Sequence, residues 1–249
     1  MSDTALSIYV NQKDIFSHFQ KDWTSAKDAN DPNAPFCTLA TVLQQRTHTN
    51  DDSNDISSIT IPRTRTVTLR EVDAEKGSIV LYINKESPKY AQLQQSTDDV
   101  GGSCGGAFEI LTFWTSPAMI QYRLSGTSWS TLDQDTMKDR WRFKPKTSQL
   151  LDYYYIHHQA QSSVLNSSGG GREGFVKTMT NLTEEFANKD VPFQPVATGL
   201  ILHVTEIEEW RGSVTNRLHE RYLYKRKTTL ESCKEKEDSP KWQKQVLVP

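Results

Sequence analysis

The sequence predicts a fold that is mainly β with α additions, a β-barrel carrying a few helices on its outside. Three observations predict it. The apolar residues gather into runs of strand length. The connections between those runs are short, as between antiparallel neighbours. Helical spacing is confined to a few segments.

The elements follow in chain order. Ile15, Phe16, Phe19 and Trp23 recur at helical spacing, so residues 11–28 read as an amphipathic helix. Asp31-Pro32-Asn33-Ala34-Pro35 ends it, and Phe36 to Leu43 reads as a strand. Residues 44–58 are rich in Asp, Asn, Ser and Thr and read as an exposed, disorder-prone insertion between two strands of a hairpin. Strands are expected at 64–73, 78–84, 107–114 and 119–127, with Lys76-Gly77 turning between the first two. A short helix at 88–95 precedes the glycine-rich loop 101–106. That loop lacks the Gly-x-Gly-x-x-Gly spacing of a dinucleotide fingerprint and reads as a connector. Helices are expected at 131–142, 148–160 and 178–188, with the glycine-rich segment 167–174 a flexible loop. The last part reads as strands at 198–207, 217–226 and 242–248, with residues 228–241 a charged loop. No repeat and no clear linker interrupts the chain, so residues 1–249 read as one domain.

Composition excludes several functions. A formal net charge of −2 over 249 residues supplies no domain-wide basic field for nucleic acid. Hydrophobic residues make up 35% and mean hydropathy is −0.65, and no apolar run approaches the roughly 20 residues that span a bilayer. Met1-Ser2-Asp3-Thr4 lacks the features of a secretory signal. Cys37, Cys104 and Cys233 form no Cys-x-x-Cys pair, so neither disulfide nor metal site is expected. A cytoplasmic protein is expected, with the nucleus left open.

Arginines and one lysine carry the candidate chemistry. Read as a strand, Arg217-Leu218-His219-Glu220-Arg221 puts Arg217, His219 and Arg221 on one face, which calls for solvent or an anion. Ser87-Pro88-Lys89 reads as a helix start, with serine capping and proline at the first position. Lys89 there opposes the helix dipole unless an anion holds both; taken alone it is better explained as a solvated lysine. Arg65-Thr66-Val67-Thr68-Leu69-Arg70 reads as a strand whose arginines, five apart, fall on opposite faces and serve two different anions, unless one is an ordinary salt-bridged surface residue. Gln121 and Arg123 share the face of another strand. Trp114, Trp129, Trp141 and Trp210 offer stacking surfaces that the core also explains. His157-His158 lacks the spacing of a helical metal pair.

In this order the pieces resemble the pyridoxamine 5′-phosphate oxidase family of flavin-binding split barrels. The resemblance runs from about Phe36 to Pro249. It rests on Leu39-Ala40-Thr41-Val42, Arg65 to Arg70, Leu81-Tyr82-Ile83-Asn84 with Ser87-Pro88-Lys89, Gln121 to Gly126, Trp210-Arg211-Gly212 and Arg217 to Tyr222. It implies an FMN-binding split β-barrel with the cofactor at a homodimer interface. Arg65, Thr66, Val67, Thr68, Tyr82, Ser87, Lys89, Gln121, Trp210 and Arg221 would bind FMN. Arg70, Lys144, Ser148, Arg217 and His219 would meet a phosphorylated small-molecule substrate, with Arg217 and His219 as the catalytic pair. Gln161-Ser162 aligns with a further FMN contact.

The chain departs from the oxidase pattern at Arg70 (lysine in the oxidase), Ile83, Pro88, Arg140 and Lys144, so FMN binding is the better supported expectation. Two functions are carried forward: an FMN-dependent oxidoreductase that oxidises pyridoxamine or pyridoxine 5′-phosphate or a related molecule, and a non-catalytic flavin- or pyridoxal-phosphate-binding protein. A split barrel holding haem or a deazaflavin is the third.

Overall fold

The structure, a computed structural model, describes residues 8–48, 56–95, 107–165, 169–213, 215, 217–227 and 241–248. Its contacts form two compact units. The first comprises Met1–Leu81, Gln92–Ser130 and Ile201–Pro249; the second comprises Tyr82–Ala91 and Thr131–Leu200. In chain order the elements are β1 (Ile8–Asn11), α1 (Gln12–Asp28), β2 (Phe36–His48), β3 (Ile56–Thr68), β4 (Glu71–Asp73), β5 (Ser78–Asn84) and α2 (Pro88–Gln95). They continue with β6 (Phe108–Trp114), β7 (Ile120–Gly126), β8 (Ser128–Thr131), α3 (Gln134–Arg142), α4 (Lys146–His157) and α5 (Gly171–Glu185). The last are β9 (Ala197–His203), β10 (Glu206–Arg211), β11 (Glu220–Arg226) and β12 (Lys241–Val246).

The first unit is built on an eight-stranded antiparallel sheet of order β1-β12-β11-β10-β7-β6-β2-β3. A smaller sheet has the order β4-β5-β9-β8. Strand alternation sorts the large sheet's side chains. Phe108, Ile110, Thr112 and Trp114 of β6 are buried, as are Ile120, Tyr122 and Leu124 of β7 and Ile207 of β10. Helix α1 covers this face. Asn11 caps it by accepting from the Lys13 N–H at 2.9 Å, and Ile15, Phe16, Phe19 and Ala26 form its buried stripe. Phe19 lies edge-on to Tyr122 at 4.9 Å and 5.5 Å from Trp114; Phe16 meets Trp242 edge-on at 6.0 Å.

The second unit has its own core of Trp141, Leu150, Tyr154, Leu182, Phe186, Val191 and Ala197, contributed by α3, α4, α5 and the segment leading to β9. The Trp141 indole donates to the Val191 carbonyl at 2.9 Å.

Several expected boundaries move. Both ends of the polar insertion are ladder: β2 and β3 pair without a break from Phe36↔Thr68 to His48↔Ile56. Polarity does not prevent a ladder, because β-branched Thr and Ile suit the strand and each backbone pair extends the last. Of that insertion, residues 49–55 lie outside the described residues, as do the loop 101–106 and residues 228–240. Expected strand 64–73 breaks at Leu69-Arg70, expected strand 198–207 breaks into β9 and β10, and the short strands β1 and β8 had no sequence signal. The glycine-rich segment was expected to be a loop, but α5 begins at Gly171. A Cβ at Gly174 would stand 1.9 Å from the Gly169 carbonyl oxygen, so that glycine permits a close backbone approach at a helix start.

One buried carboxylate ties the segment after α1 to the loop after β6. Asp31, 4% exposed, accepts from the backbone N–H groups of Thr115 (2.5 Å), Ser116 (2.8 Å) and Asn33 (2.8 Å) and from the Thr115 hydroxyl (3.0 Å). Burial alone would raise its pKa; the donors outweigh burial and hold it below the ordinary value. A depressed folded pKa contributes stability above the unfolded value that is lost as pH falls through the folded one. Asp31→Ala is expected to cost roughly 2–3 kcal/mol at neutral pH and to flatten the acid limb of stability. Urea denaturation from pH 3 to pH 7 measures both, and an unchanged acid limb would contradict this role for Asp31.

Candidate functional site

In the first unit the sheet's register builds a platform. Phe113 pairs with Gln121, Gln121 with Trp210, and Trp210 with Arg221, so the four occupy one row across β6, β7, β10 and β11 on the face opposite the core. None of them is buried. A Cβ at Gly212 would meet the Trp210 ring at 2.7 Å and Met119 at 2.9 Å, so the glycine of Trp-Arg-Gly gives the ring its space. Beside this row runs a charge ladder. Arg123 binds Glu109 (2.9 Å) and Glu208 (3.3 Å), and Glu208 also holds Arg221 (2.6 Å). Arg221 reaches the Val248 carbonyl at 3.3 Å.

The expected shared face of Arg217, His219 and Arg221 does not exist. β11 begins at Glu220, and Arg217 has φ 57, the left-handed region, so strand alternation does not reach back to it. His219 is placed by other means. Its Nδ1 accepts from the Ser213 N–H at 3.0 Å, and its ring lies 4.8 Å from that of Trp210. With Nδ1 accepting, the neutral ring carries its proton on Nε2.

Arg65 lies on β3, the edge strand of the sheet, with Thr66, Val67 and Thr68 after it, paired to Thr38, Cys37 and Phe36. Its guanidinium donates to the Thr41 hydroxyl (2.6 Å), to the Gln92 side-chain oxygen, and to the Arg63 (3.3 Å) and Leu39 (3.5 Å) carbonyls. Every one of these acceptors is neutral. Arg70 is half-buried between β3 and β4 and does not share a continuous strand with Arg65. Burial pushes the Cys37 thiol up to about 12, which leaves it inert.

In the second unit, Tyr82 is half-buried near the end of β5. Ser87 is fully buried and its hydroxyl donates to the Asn84 carbonyl at 2.6 Å, so that proton serves the turn, while the Ser87 carbonyl accepts from Tyr90 at 3.0 Å as α2 starts. Lys89 donates to the Gln161 side-chain oxygen at 3.0 Å, and Gln161 also bonds Tyr155. Lys144 forms an ion pair with Asp152, both side chains little exposed, and lies 5.3 Å from the Trp141 ring centre. Its charge is thereby balanced within the unit. Ser148 sits in the first turn of α4, its N–H on the Pro145 carbonyl at 2.8 Å.

The pyridoxine/pyridoxamine 5′-phosphate oxidase of a Psychrobacter species is 30% identical over 225 residues, covering 88% of this chain and 91% of the relative. That of Microcystis aeruginosa is 29% identical over 189 residues, covering 76% and 73%. This chain belongs to the pyridoxine/pyridoxamine 5′-phosphate oxidase family. No family model matches it. PhzG of Burkholderia lata 383, solved in complex with tetrahydrophenazine-1-carboxylic acid, superposes with TM-score 0.66 at 19% identity over 94% of this chain and 92% of PhzG. A pyridoxamine 5′-phosphate oxidase-related, FMN-binding protein of Nostoc punctiforme gives 0.58 at 15% identity over 94% and 96%. The fold is the split barrel of these proteins, mainly β with α additions.

Beneath the platform lies a buried ionic knot that sequence reading missed. Alternation turns Glu209 inward from Trp210, and Glu209 is 2% exposed. Arg211 binds Glu209 and Asp22; Tyr122 donates to Asp22 at 2.6 Å and Tyr224 to Glu209 at 3.2 Å. His18, Asp22 and Glu209 converge as metal ligands do, but the Arg211 guanidinium bonds all three and is the cation there. The doubled Glu208-Glu209 was the available signal: on a strand, one of two adjacent acids must face the core. Burial would raise the Glu209 pKa, yet His18 and Arg211 hold it below the ordinary value.

His18 Nε2 lies 2.6 Å from Arg211 and 3.4 Å from Glu209. It accepts from Arg211 when neutral and donates to Glu209 when protonated. The Glu209 hydrogen bond is the largest influence and, against burial, raises the His18 pKa above 6.5. A raised folded pKa means the stabilisation is full below 6.5 and is lost as pH rises through the folded value. NMR titration of His18 should give a midpoint above 6.5, and His18→Gln should remove the corresponding loss of stability on the alkaline side. A midpoint at or below 6.5 would contradict the pairing with Glu209.

Among the described residues no helix is long and apolar enough to cross a membrane.

Proposed function

We propose that this member of the family is an FMN-dependent oxidoreductase acting on a small amine or alcohol, with pyridoxamine or pyridoxine 5′-phosphate as the first substrates to test. The observation that carries the cofactor reading is Arg65. It is a guanidinium held only by neutral acceptors among the described residues, with a second cation, Arg63, close by. Such a group calls for an anion, and the phosphate of FMN supplies one. The row Gln121–Trp210–Arg221 fits a flavin ring, with a stacking surface and polar groups in line. Thr66, Val67 and Thr68 would present β3 backbone to the cofactor, and Tyr82, Ser87 and Lys89 belong to the same proposal. Arg70, Arg217 and His219 would meet the substrate, with His219 donating from Nε2.

When bound, FMN supplies the acceptor for a hydride equivalent from the substrate carbon, and dioxygen reoxidises it. The protein's part is to orient both molecules and hold charge in place.

The Lys144–Asp152 pair favours a second reading of the substrate. A lysine already neutralised offers a substrate phosphate little, although Ser148 remains beside it. The alternatives are a related molecule without that phosphate, or a protein that binds flavin or pyridoxal phosphate without turnover. Anaerobic mixing with pyridoxamine 5′-phosphate or pyridoxine 5′-phosphate separates them. Bleaching of the flavin bands supports oxidation of that substrate, and unchanged bands speak against it.

Two outcomes are expected for cofactor and assembly. Each charge-assisted hydrogen bond is worth about 1.5–3 kcal/mol, so FMN should bind roughly a hundredfold or more tighter than riboflavin in fluorescence titrations. Equal affinities would remove the phosphate site. By the family resemblance the protein is a homodimer, so light scattering should give twice the chain mass of 28.4 kDa. A monomer fully loaded with FMN would contradict a shared site.

A further inference from the structure

The groups that hold Arg65 are unusual for an arginine on a sheet edge. Thr41 is 3% exposed and Gln92 is 8% exposed, and both side chains are turned toward the guanidinium. The hydrogen-bond roles close without ambiguity. The Thr41 hydroxyl donates to the Gln92 oxygen at 2.8 Å and accepts from Arg65 at 2.6 Å, and the Gln92 oxygen accepts from both Thr41 and Arg65. Both lone pairs of that oxygen are used, which fixes which end of the amide faces the arginine.

We propose that Gln92 and Thr41 are positioning residues that hold the Arg65 fork for a phosphate while leaving its charge uncompensated, and that the neutrality of Gln92 lets Arg65 select a phosphorylated flavin over an unphosphorylated one. The inference rests on the cofactor reading above and adds residues to it.

The physical argument is a comparison of acceptors. A carboxylate where Gln92 stands would take the guanidinium in a two-pronged ion pair. That pair would satisfy Arg65 and cancel the charge a phosphate needs. An apolar residue there would leave Arg65 charged but free to change rotamer, losing the pre-set geometry. A neutral carbonyl orients without cancelling. Burial first, and Arg63 second, both oppose the charge on Arg65, so the protein bears a standing cost that an arriving anion relieves.

The test uses three proteins freed of flavin: wild type, Gln92→Glu and Gln92→Met. Dissociation constants for FMN and riboflavin are measured by fluorescence, with the thermal midpoint of each apoprotein alongside. Gln92→Glu should keep or raise the apoprotein midpoint, because it pairs with Arg65, while the FMN-over-riboflavin ratio falls at least tenfold. Gln92→Met should lower the ratio severalfold with riboflavin affinity unchanged. It decides the matter if the glutamate variant does not fold. A merely structural glutamine would move the midpoint and leave the ratio alone. A wild-type ratio near one overturns the phosphate reading itself. A wild-type ratio well above ten that survives both substitutions overturns the role of Gln92 and leaves that reading standing.

Discussion

The large sheet's two-residue alternation is the constraint on which the rest of the structure depends. Along β10 it sends Ile207 and Glu209 inward and Glu208 and Trp210 outward. The same register carries Tyr122 to the core and Gln121 to the platform on β7. A slip of one residue would exchange these faces, placing Trp210 against α1 and Glu209 on the open face. Platform and core are thus one decision made along each strand. The ladder Glu109–Arg123–Glu208–Arg221 lies across four strands and favours the native pairing.

The two faces handle charge in opposite ways. Beneath the sheet, Arg211 and His18 face Asp22 and Glu209 with tyrosine hydroxyls closing the set, so two cations meet two carboxylates when His18 is protonated. At the edge strand, Arg65 is surrounded by an amide, a hydroxyl and carbonyls. A matched buried cluster holds elements together, and its partners are costly to remove. A well-oriented cation with neutral acceptors among the described residues is the arrangement on which the proposed phosphate site rests. Lys144 with Asp152 belongs to the first kind, although its place in the sequence motif suggested the second.

The sequence showed those parts whose signal is local. Ile15, Phe16 and Phe19 marked α1 to within a residue, and the apolar runs marked β5, β6 and β7 almost to their ends. Motif order revealed the family because Arg65, Ser87-Pro88-Lys89, Gln121 and Trp210-Arg211-Gly212 stand in sequence whatever surrounds them. What stayed hidden depends on tertiary context. The backbone turn at Arg217, set by a positive φ, removed a face that alternation had predicted. Gln92 looked like any polar residue on a short helix, because its side-chain partners Thr41 and Arg65 are distant in sequence, on β2 and β3. The ladder beyond Leu43 was hidden for the same reason, since cross-strand pairing, not composition, orders it.

Helix α1 illustrates how far a terminal element can be from an appendage. It supplies Asp22 and His18 to the knot and Phe16 and Phe19 to the aromatic core. A chain trimmed to begin at β2 would lose two of the groups that neutralise or share the Glu209–Arg211 pair and would bare the rings of Trp114, Tyr122 and Trp242. The resulting surface would be apolar with an ionic centre, a poor solvent boundary and an inviting place for aggregation. The stretch that precedes every recognisable motif is therefore the keystone of the first unit, and boundaries drawn from motifs alone would cut it away.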